Sequence, residues 1–240
     1  MDRQELIQTV LPLMQAARTY HRHEVVGLQH IPAAGRTLVV VNHSLATYDI
    51  TLLMTAIYTE LHRLPRPLID RLFFKIPYLG ELVTLFGSVQ GSPESAARLL
   101  EEDELVTVAP GGMREALRPS SERYQIRWDR RTGFVKLAMR TGTPIVLAAC
   151  PKADDLYEVY PSQITAWMYR TFRVPIFLAR GVGPTPIPRP VKLVHYLSEP
   201  LHPPKWTGVE EQDEERARQF HQGLIVRMHE LIGEAIQHRE

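Results

Sequence analysis

The 240-residue sequence contains only one cysteine, Cys150, and this scarcity excludes several kinds of protein. A single thiol cannot form an internal disulfide, and it cannot build a cysteine-based metal site. The lack of disulfides fits a reducing compartment. Because Cys150 ends an apolar run, we expect its thiol to be an inert part of the core.

Charge of one sign and long hydrophobic runs are also missing. Lysine and arginine number 28 against 27 aspartates and glutamates, so the formal net charge is +1. With no surplus of basic residues to neutralise phosphates, we expect no nucleic-acid partner. The most apolar stretch, residues 37–58, is interrupted by His43 and Asp49, whereas a transmembrane helix needs a run of roughly 18 apolar residues. The charged start MDRQELIQ lacks the apolar segment of a signal peptide, so we expect a cytoplasmic protein that meets membranes only at their surface.

Several catalytic signatures are absent as well. The sequence has no Gly-x-Ser-x-Gly elbow of an α/β-hydrolase, no His-Glu-x-x-His metal motif and no glycine pattern that cradles a nucleotide. The cluster HRHE at residues 21–24 is more typical of polar surface than of metal ligands. We therefore predict neither a metal nor a cofactor.

Apolar residues recur with the periods of strands and helices, and the two alternate through the middle of the chain. Predicted helices cover residues 3–20, 48–61, 92–102, 133–142, 162–172 and 210–238, and predicted strands cover 23–32, 36–43, 87–91, 104–110, 143–150, 173–180 and 190–200. This alternation is typical of an α/β fold, a mainly parallel mixed sheet with helices on both faces. We predict one domain over residues 1–240, with an amphipathic N-terminal helix (1–22), an α/β core (25–200) and a C-terminal helix (208–240).

A histidine and a carboxylate stand at the junction between a predicted core strand and a predicted core helix, in NHSLATYD at residues 42–49. The carboxyl end of a sheet strand is where α/β proteins usually bind ligands. There the neutral imidazole of His43 can take a proton from a hydroxyl, and Asp49 can fix its orientation. The alternative is structural: Asp49 caps the backbone N–H groups of a helix start, and His43 is an ordinary loop histidine.

A second strand is followed by a glycine turn and a helix start in VTVAPGGMREAL at residues 106–117. Glycines let the backbone approach a ligand closely, and a helix start favours an anion. Arg114 lies in that first turn, where the helix dipole disfavours a positive charge. The placement suggests that Arg114 clamps a phosphate or carboxylate, although a solvated arginine paired with Glu115 or Glu94 explains it equally well.

With these two stretches in this order, the sequence resembles the glycerophospholipid acyltransferase superfamily of the lysophosphatidate acyltransferase type. NHSLATYD is similar to the family's first motif, His-x4-Asp, and APGGMRE at 109–115 is similar to its third, Phe-Pro-Glu-Gly-Thr-Arg. GSVQGSPESAARLLE (87–101) and TPIVLAAC (143–150) stand where the second and fourth motifs fall. The five-residue spacing and Pro-Gly-Gly-x-Arg-Glu look most like a subgroup that resembles diacylglycerol acyltransferases and phytyl-ester synthases. The resemblance covers residues 25–200.

The resemblance implies an O-acyltransferase of lipid or phospholipid metabolism. His43 would deprotonate a lipid hydroxyl, Asp49 would orient His43, and an acyl-CoA or acyl-carrier protein would donate the acyl group without an acyl-enzyme. N–H groups of Gly111 and Gly112 could steady the oxyanion. The residues expected to bind substrate are Asn42, Ser44, Pro110, Gly111, Gly112, Arg114 and Glu115.

Three departures from the family pattern bear on the acceptor. The His–Asp spacing is five residues, Gly111 stands where the third motif has its acidic residue, and GSVQGSPE has no counterpart of the second motif's arginine. In the phospholipid enzymes the last two positions help hold the glycerol phosphate, so a neutral acceptor such as mono- or diacylglycerol or a long-chain alcohol is favoured over a lysophospholipid. A hydrolase on the same scaffold and a non-catalytic lipid-binding relative are the alternatives.

Lipid substrates call for contact with a membrane surface. Three apolar segments could supply it: the helix at residues 3–20, the aromatic and basic stretch at 63–86, and AWMYRTFRVPIF at 166–177. The alternative for each segment is a helix that packs into the core. The sequence indicates no oligomeric state.

Overall fold

A computed structural model describes residues 3–75, 79–161 and 178–237. Its helices are α1 (Arg3–Tyr20), α2 (Tyr48–Leu61), α3 (Arg71–Lys75), α4 (Leu79–Leu85), α5 (Pro93–Glu101), α6 (Gly112–Ala116), α7 (Gly133–Thr141) and α8 (Glu210–Gln237). Its strands are β1 (Glu24–Val26), β2 (Thr37–Val41), β3 (Arg66–Ile69), β4 (Val89–Gln90), β5 (Leu105–Val108), β6 (Ile145–Ala149), β7 (Glu158–Val159), β8 (Ala179–Arg180) and β9 (Val194–Leu197).

The main sheet of the described chain has seven strands in the order β1-β9-β6-β2-β5-β3-β4. Its neighbours run parallel except β6 and β9, which are antiparallel. Strands β7 and β8 form a small antiparallel pair of their own. The predicted α/β class, a mainly parallel mixed sheet, is confirmed.

Both faces of the central strand β2 are buried, so its side chains alternate between two cores. Leu38 and Val40 belong to one hydrophobic cluster with residues of α5, α7 and α8. Val39 and Val41 belong to a second cluster with residues of α2. Helix α1 packs on α2, so α1 and α8 lie on opposite faces of the sheet.

Helix ends follow local sequence signals closely. Ser92 caps α5 through a capping box with Ser95, and Pro93 is the first helical residue. Gly142 ends α7 in the left-handed conformation. Helix α1 spans the predicted range as one helix although it contains Pro12. No helix in the described part of the chain is long and apolar enough to cross a bilayer.

Two sequence expectations need correction. The strand expected over residues 23–32 is limited to β1, because Gly27 takes a φ of 84° and a 3-10 turn follows. The sequence analysis predicts no strand at β3, which contains Pro67, a residue that cannot donate to the sheet ladder. The helix predicted at 162–172 and most of the strand predicted at 173–180 lie outside the described residues, as does the candidate membrane segment 166–177.

Candidate active site

The predicted site residues collect at one edge of the sheet. NHSLATYD follows β2, the glycine turn follows the neighbouring β5, and Cys150 follows β6 on the other side. Because the three strands are parallel neighbours, their carboxyl ends meet. Arg118, from the loop that follows α6, donates to the backbone carbonyl of His43, which joins the two sequence motifs.

His43 is a buried, neutral imidazole with a defined tautomer. Its Nδ1 lies 2.8 Å from the carbonyl oxygen of Ser44. Because a carbonyl only accepts, Nδ1 carries the proton and the lone pair is on Nε2. Burial lowers the pKa of His43 to about 4, and the nearby Arg118 charge contributes to the shift. At neutral pH the ring can therefore accept a proton at Nε2.

Asp49 has no exposed surface, and its carboxylate is bound through Ser44. The Ser44 hydroxyl donates to Asp49 Oδ1, while Oδ2 has no hydrogen-bond partner among the described residues and lies 3.8 Å from His195 Nε2. Burial raises the pKa of Asp49 to about 7, against the opposing effect of the Ser44 hydrogen bond.

The direct contact that the sequence suggested between the imidazole and the carboxylate is not made in this structure. Ser44 stands between them, its carbonyl on His43 and its hydroxyl on Asp49. The five intervening residues are taken up by a 3-10 turn at Leu45–Thr47 and by the left-handed backbone of Thr47, which starts α2. This path places the carboxylate beside the Ser44 hydroxyl.

The glycine turn is closed by hydrogen bonds to the protein itself. Gly112 has a φ of 51°, which only glycine adopts freely, and its N–H donates to the Ala109 carbonyl at 3.0 Å. Arg131 donates to the carbonyls of Pro110 and Gly111 at 2.7 and 2.8 Å. The Gly112 amide is therefore occupied here, contrary to its expected use as an oxyanion donor.

Glu115 is fully buried, and both of its carboxylate oxygens accept backbone N–H groups. The donors are His43 at 2.6 Å and Arg127 at 2.9 Å. The carboxylate lies so close to the Cα of Gly111 that any side chain at that position would overlap with it. The sequence suggested that Glu115 binds substrate, whereas the structure uses its carboxylate to hold the backbone of His43.

Arg118, which the sequence reasoning missed, binds the backbone of the same residue on its carbonyl side. Its Nη1 donates to the carbonyl oxygen of His43 at 3.0 Å, and its Nη2 binds the carboxylate of Asp154. Arg118 follows Glu115 by three residues in the run REALR. Residues at this spacing lie side by side on a helix, so the sequence already indicated that an acceptor and a donor would be close together here.

The remaining expected substrate residues differ in exposure. Arg114 has 63% of its side chain exposed and lies 3.6 Å from Asp129 in a surface ion pair, so its guanidinium faces solvent. Asn42 is buried, and its Oδ1 accepts the N–H of Cys150 at 2.8 Å. Asn42 therefore ties the ends of β2 and β6 together.

His195, on β9, is a buried residue near the site that the sequence gave no reason to select. The side-chain atoms of Asp49, Cys150 and His195 that could bind a metal ion lie within 4.8 Å of one another. Cys150 thus belongs to a cluster of three residue types that can each bind a metal. The sequence analysis excluded a cysteine-based metal site because there is only one cysteine, and it did not consider a mixed cluster. Burial raises the pKa of the Cys150 thiol well above its usual range, so the thiol is neutral.

Comparison with known proteins shows which family shares these motifs. A family model described as Acyltransferase matches residues 22–150. The "DGAT1/2-independent enzyme synthesizing storage lipids" of Bos taurus and that of Homo sapiens are each 30% identical over 219 residues, which is 90% of this chain. The chain spans only 63% of the bovine and 65% of the human protein.

A solved structure shares the fold over nearly the whole chain. The 1-acyl-sn-glycerophosphate (LPA) acyltransferase of Thermotoga maritima superposes with a TM-score of 0.63 at 16% identity, covering 99% of this chain and 83% of that one.

Proposed function

This chain belongs to the acyltransferase family, and we propose that it transfers a fatty acyl group from an acyl thioester to a lipid hydroxyl, with His43 as the general base. One observation carries the proposal: a neutral histidine, with its lone pair on Nε2, lies at the carboxyl end of the central strand. It does so within the residues that match the family.

In the proposed reaction, His43 Nε2 takes the proton of the lipid hydroxyl as its oxygen attacks the thioester carbonyl carbon. A C–O bond forms, and the tetrahedral intermediate collapses with cleavage of the C–S bond. The thiolate leaves and recovers the proton from His43, which returns to its neutral form. A thioester is already activated, so a positioned base and substrate can suffice.

The surrounding residues would act as positioning groups. The Ser44 carbonyl holds Nδ1–H, and Asp49 holds the Ser44 hydroxyl, so the carboxylate acts on the ring through Ser44. An ionised Asp49 favours the imidazolium that forms during the reaction. Glu115 and Arg118 hold the backbone N–H and the backbone carbonyl of His43.

A neutral acceptor fits the charges around the glycine turn. Arg118 and Arg131 are committed to carbonyls of the protein, and Arg118 also to Asp154, whereas Arg114 is exposed. Arg114, which faces solvent apart from its surface ion pair with Asp129, is therefore available to meet a phosphate of the donor. The name of the bovine and human relatives refers to storage lipids, which agrees with a neutral lipid acceptor.

The proposal is tested by incubating the purified protein with labelled palmitoyl-CoA and a panel of lipid alcohols. The panel contains monoacylglycerol, diacylglycerol, a long-chain alcohol and lysophosphatidate, with an acceptor-free control. We expect labelled ester with a neutral acceptor and none with His43→Ala. Release of free fatty acid regardless of acceptor would indicate a hydrolase, and binding of palmitoyl-CoA without turnover would indicate a lipid-binding protein; both outcomes contradict acyl transfer.

A further inference from the structure

A line of buried polar side chains runs from helix α1 to Asp49. Arg18 Nε donates to His23 Nδ1 at 3.2 Å, and His23 Nε2 lies 2.9 Å from His195 Nδ1. His195 Nε2 in turn lies 3.8 Å from Asp49 Oδ2, an oxygen without another partner among the described residues. His23, His195 and Asp49 are all buried.

The positions of the protons on His23 and His195 follow from Arg18, the first residue of this line. A guanidinium can only donate, so Nδ1 of His23 is an acceptor and the proton of neutral His23 is on Nε2. That proton is donated to His195 Nδ1, which leaves the proton of neutral His195 on Nε2. The protonated nitrogen of His195 is therefore the atom that lies 3.8 Å from the unpaired oxygen of Asp49, a distance at which it acts by electrostatic attraction rather than through a direct hydrogen bond.

We propose that Arg18, His23 and His195 form a relay that keeps a proton on His195 Nε2 and thereby stabilises the ionised form of Asp49. His195 is a positioning residue in this relay, because it acts on His43 through Asp49 and Ser44. The part of this inference that concerns acyl transfer depends on the proposed function, whereas the arrangement of protons does not.

The surroundings keep both histidines neutral. Burial lowers the pKa of His23 to about 3 and the pKa of His195 well below its usual range, and the charge of Arg18 adds to both shifts. Asp49 is also faced by the Cys150 thiol at the end of β6 and by Asp154 on the 3-10 turn that follows, whose charge is paired with Arg118. Of these groups, His195 offers Asp49 Oδ2 an N–H, whereas the neutral Cys150 thiol is only a weak donor and Asp154 offers no proton.

The relay and a metal site at Asp49, Cys150 and His195 predict different protonation of His195. A metal bound between Asp49, Cys150 and His195 would need the lone pair of His195 on Nε2. The direction of donation from Arg18 places a proton on that nitrogen. The two interpretations therefore differ in one measurable property, the tautomer of His195.

The tautomers are measured by two-dimensional ¹H–¹⁵N NMR of ¹⁵N-histidine-labelled protein at neutral pH. We expect the Nε2–H form for His23 and His195 and the Nδ1–H form for His43. Arg18→Met removes the donor that fixes His23, so the Nδ1–H form of His23 should appear. An Nδ1–H form of His195 in the wild type, or an unchanged His23 in Arg18→Met, would overturn the relay.

The effect on Asp49 is measured from its ¹³Cγ titration in aspartate-labelled protein, without any turnover. His195→Phe removes the N–H, so the pKa of Asp49 should rise by about one unit. His195→Gln, which keeps a side-chain N–H, should restore most of the wild-type value. His221→Phe is the control, because His221 packs against Trp128 and Phe134 instead and should leave Asp49 unchanged.

Arg18→Met keeps the test decisive if His195→Phe fails to fold. Arg18 also pairs with the half-exposed Glu60, so Glu60→Gln removes that ion pair while leaving the Arg18–His23 hydrogen bond in place. We expect a raised Asp49 pKa in Arg18→Met and an unchanged one in Glu60→Gln. Equal shifts in both variants would contradict the relay. Absence of acyl transfer in the wild type would refute the proposed function and leave these measurements valid.

Discussion

His43 and Asp49 are buried side chains, and burial moves their pKa values in opposite directions. The neutral form of each is favoured, so His43 has a pKa of about 4 and Asp49 a pKa of about 7. His43 is therefore available as a base throughout the neutral range. Asp49, in contrast, changes its charge within that range, which makes it the pH-sensitive member of the site.

Replacement of His43 by alanine tests the base directly. We expect kcat/KM for acyl transfer to fall by about 10²- to 10⁴-fold, because proton removal from the acceptor hydroxyl loses its catalyst. Activity is followed with labelled palmitoyl-CoA and folding by circular dichroism. His202→Ala, at an exposed histidine, is the control and should retain wild-type rates. A His43→Ala protein with near-normal rates would remove His43 from the mechanism.

Asp49→Asn should lower activity while increasing stability at alkaline pH. The folded-state pKa of about 7 lies above the usual 3.8, so the fold favours protonated Asp49. This contribution is fully present below pH 4 and is lost as the pH rises through 7, at a cost on the order of 4 kcal/mol. Asparagine carries no charge, so the melting temperature of Asp49→Asn should exceed that of the wild type by several degrees at pH 8, and the difference should shrink as the pH falls and vanish below about pH 4. A lower melting temperature at pH 8 would contradict a buried charge.

The same titration predicts the pH profile of the wild-type enzyme. We expect kcat/KM to fall as the pH drops below about 7, because Asp49 takes up a proton and no longer favours the imidazolium. The profile is measured between pH 5 and 9 with a neutral acceptor. The acidic decline should be absent from the residual activity of Asp49→Asn, and a decline that persists there would have to come from another group.

At the scale of elements, the position of His43, the proposed general base, depends on a helix of little more than one turn. Helix α6 is five residues long and supplies Glu115, while Arg118 follows it. Together they bind the N–H and the carbonyl of His43. Because β2 and β5 are parallel neighbours, the glycine turn after β5 can bring α6 against the loop after β2.

Glu115→Gln tests this connection between α6 and β2. A carboxylate accepts two N–H groups, but glutamine has only one acceptor oxygen, so one buried N–H loses its partner. We expect the free energy of unfolding to drop by about 1–3 kcal/mol, with a fall in kcat/KM as the His43 backbone is released. Urea unfolding and the acyl-transfer assay measure the two effects. Glu101→Gln, at an exposed position of α5, should change neither.

At the scale of the whole molecule, the two long helices lie on opposite faces of the sheet, and each exposes apolar side chains. Leu13 on α1 is 65% exposed and Val226 on α8 is 58% exposed. The Tyr20 hydroxyl of α1 donates to the Pro188 carbonyl, which places the end of α1 beside a loop where Ile187 is also 56% exposed. We propose that this side, with α1, contacts the membrane surface.

Flotation with liposomes tests which face meets the lipid. Leu13→Glu and Ile187→Glu place charges on the α1 side and should reduce the fraction of protein that floats with phosphatidylcholine vesicles. Val226→Glu is the matched control on α8 and should leave flotation unchanged. If the wild type fails to float, or if only the α8 substitution has an effect, the proposed face is wrong.

The sequence alone determined the local elements and the positions of the two motifs. The continuous apolar run of β2, the cap at Ser92 and the end at Gly142 are local signals, so the α/β class and most element positions could be predicted. The sequence indicates His43 and Asp49 as site candidates for the same reason, since they stand at a strand–helix junction. Their catalytic roles stay predictions.

Only the tertiary structure decided what each polar group contacts. Ser44 separates His43 from Asp49 because a 3-10 turn and one left-handed residue set the path of the loop. Glu115 binds the backbone of His43, and His195 faces Asp49 across 146 positions of the chain. Such partners come from distant strands that sheet pairing brings together, and composition and spacing along one strand carry no information about them.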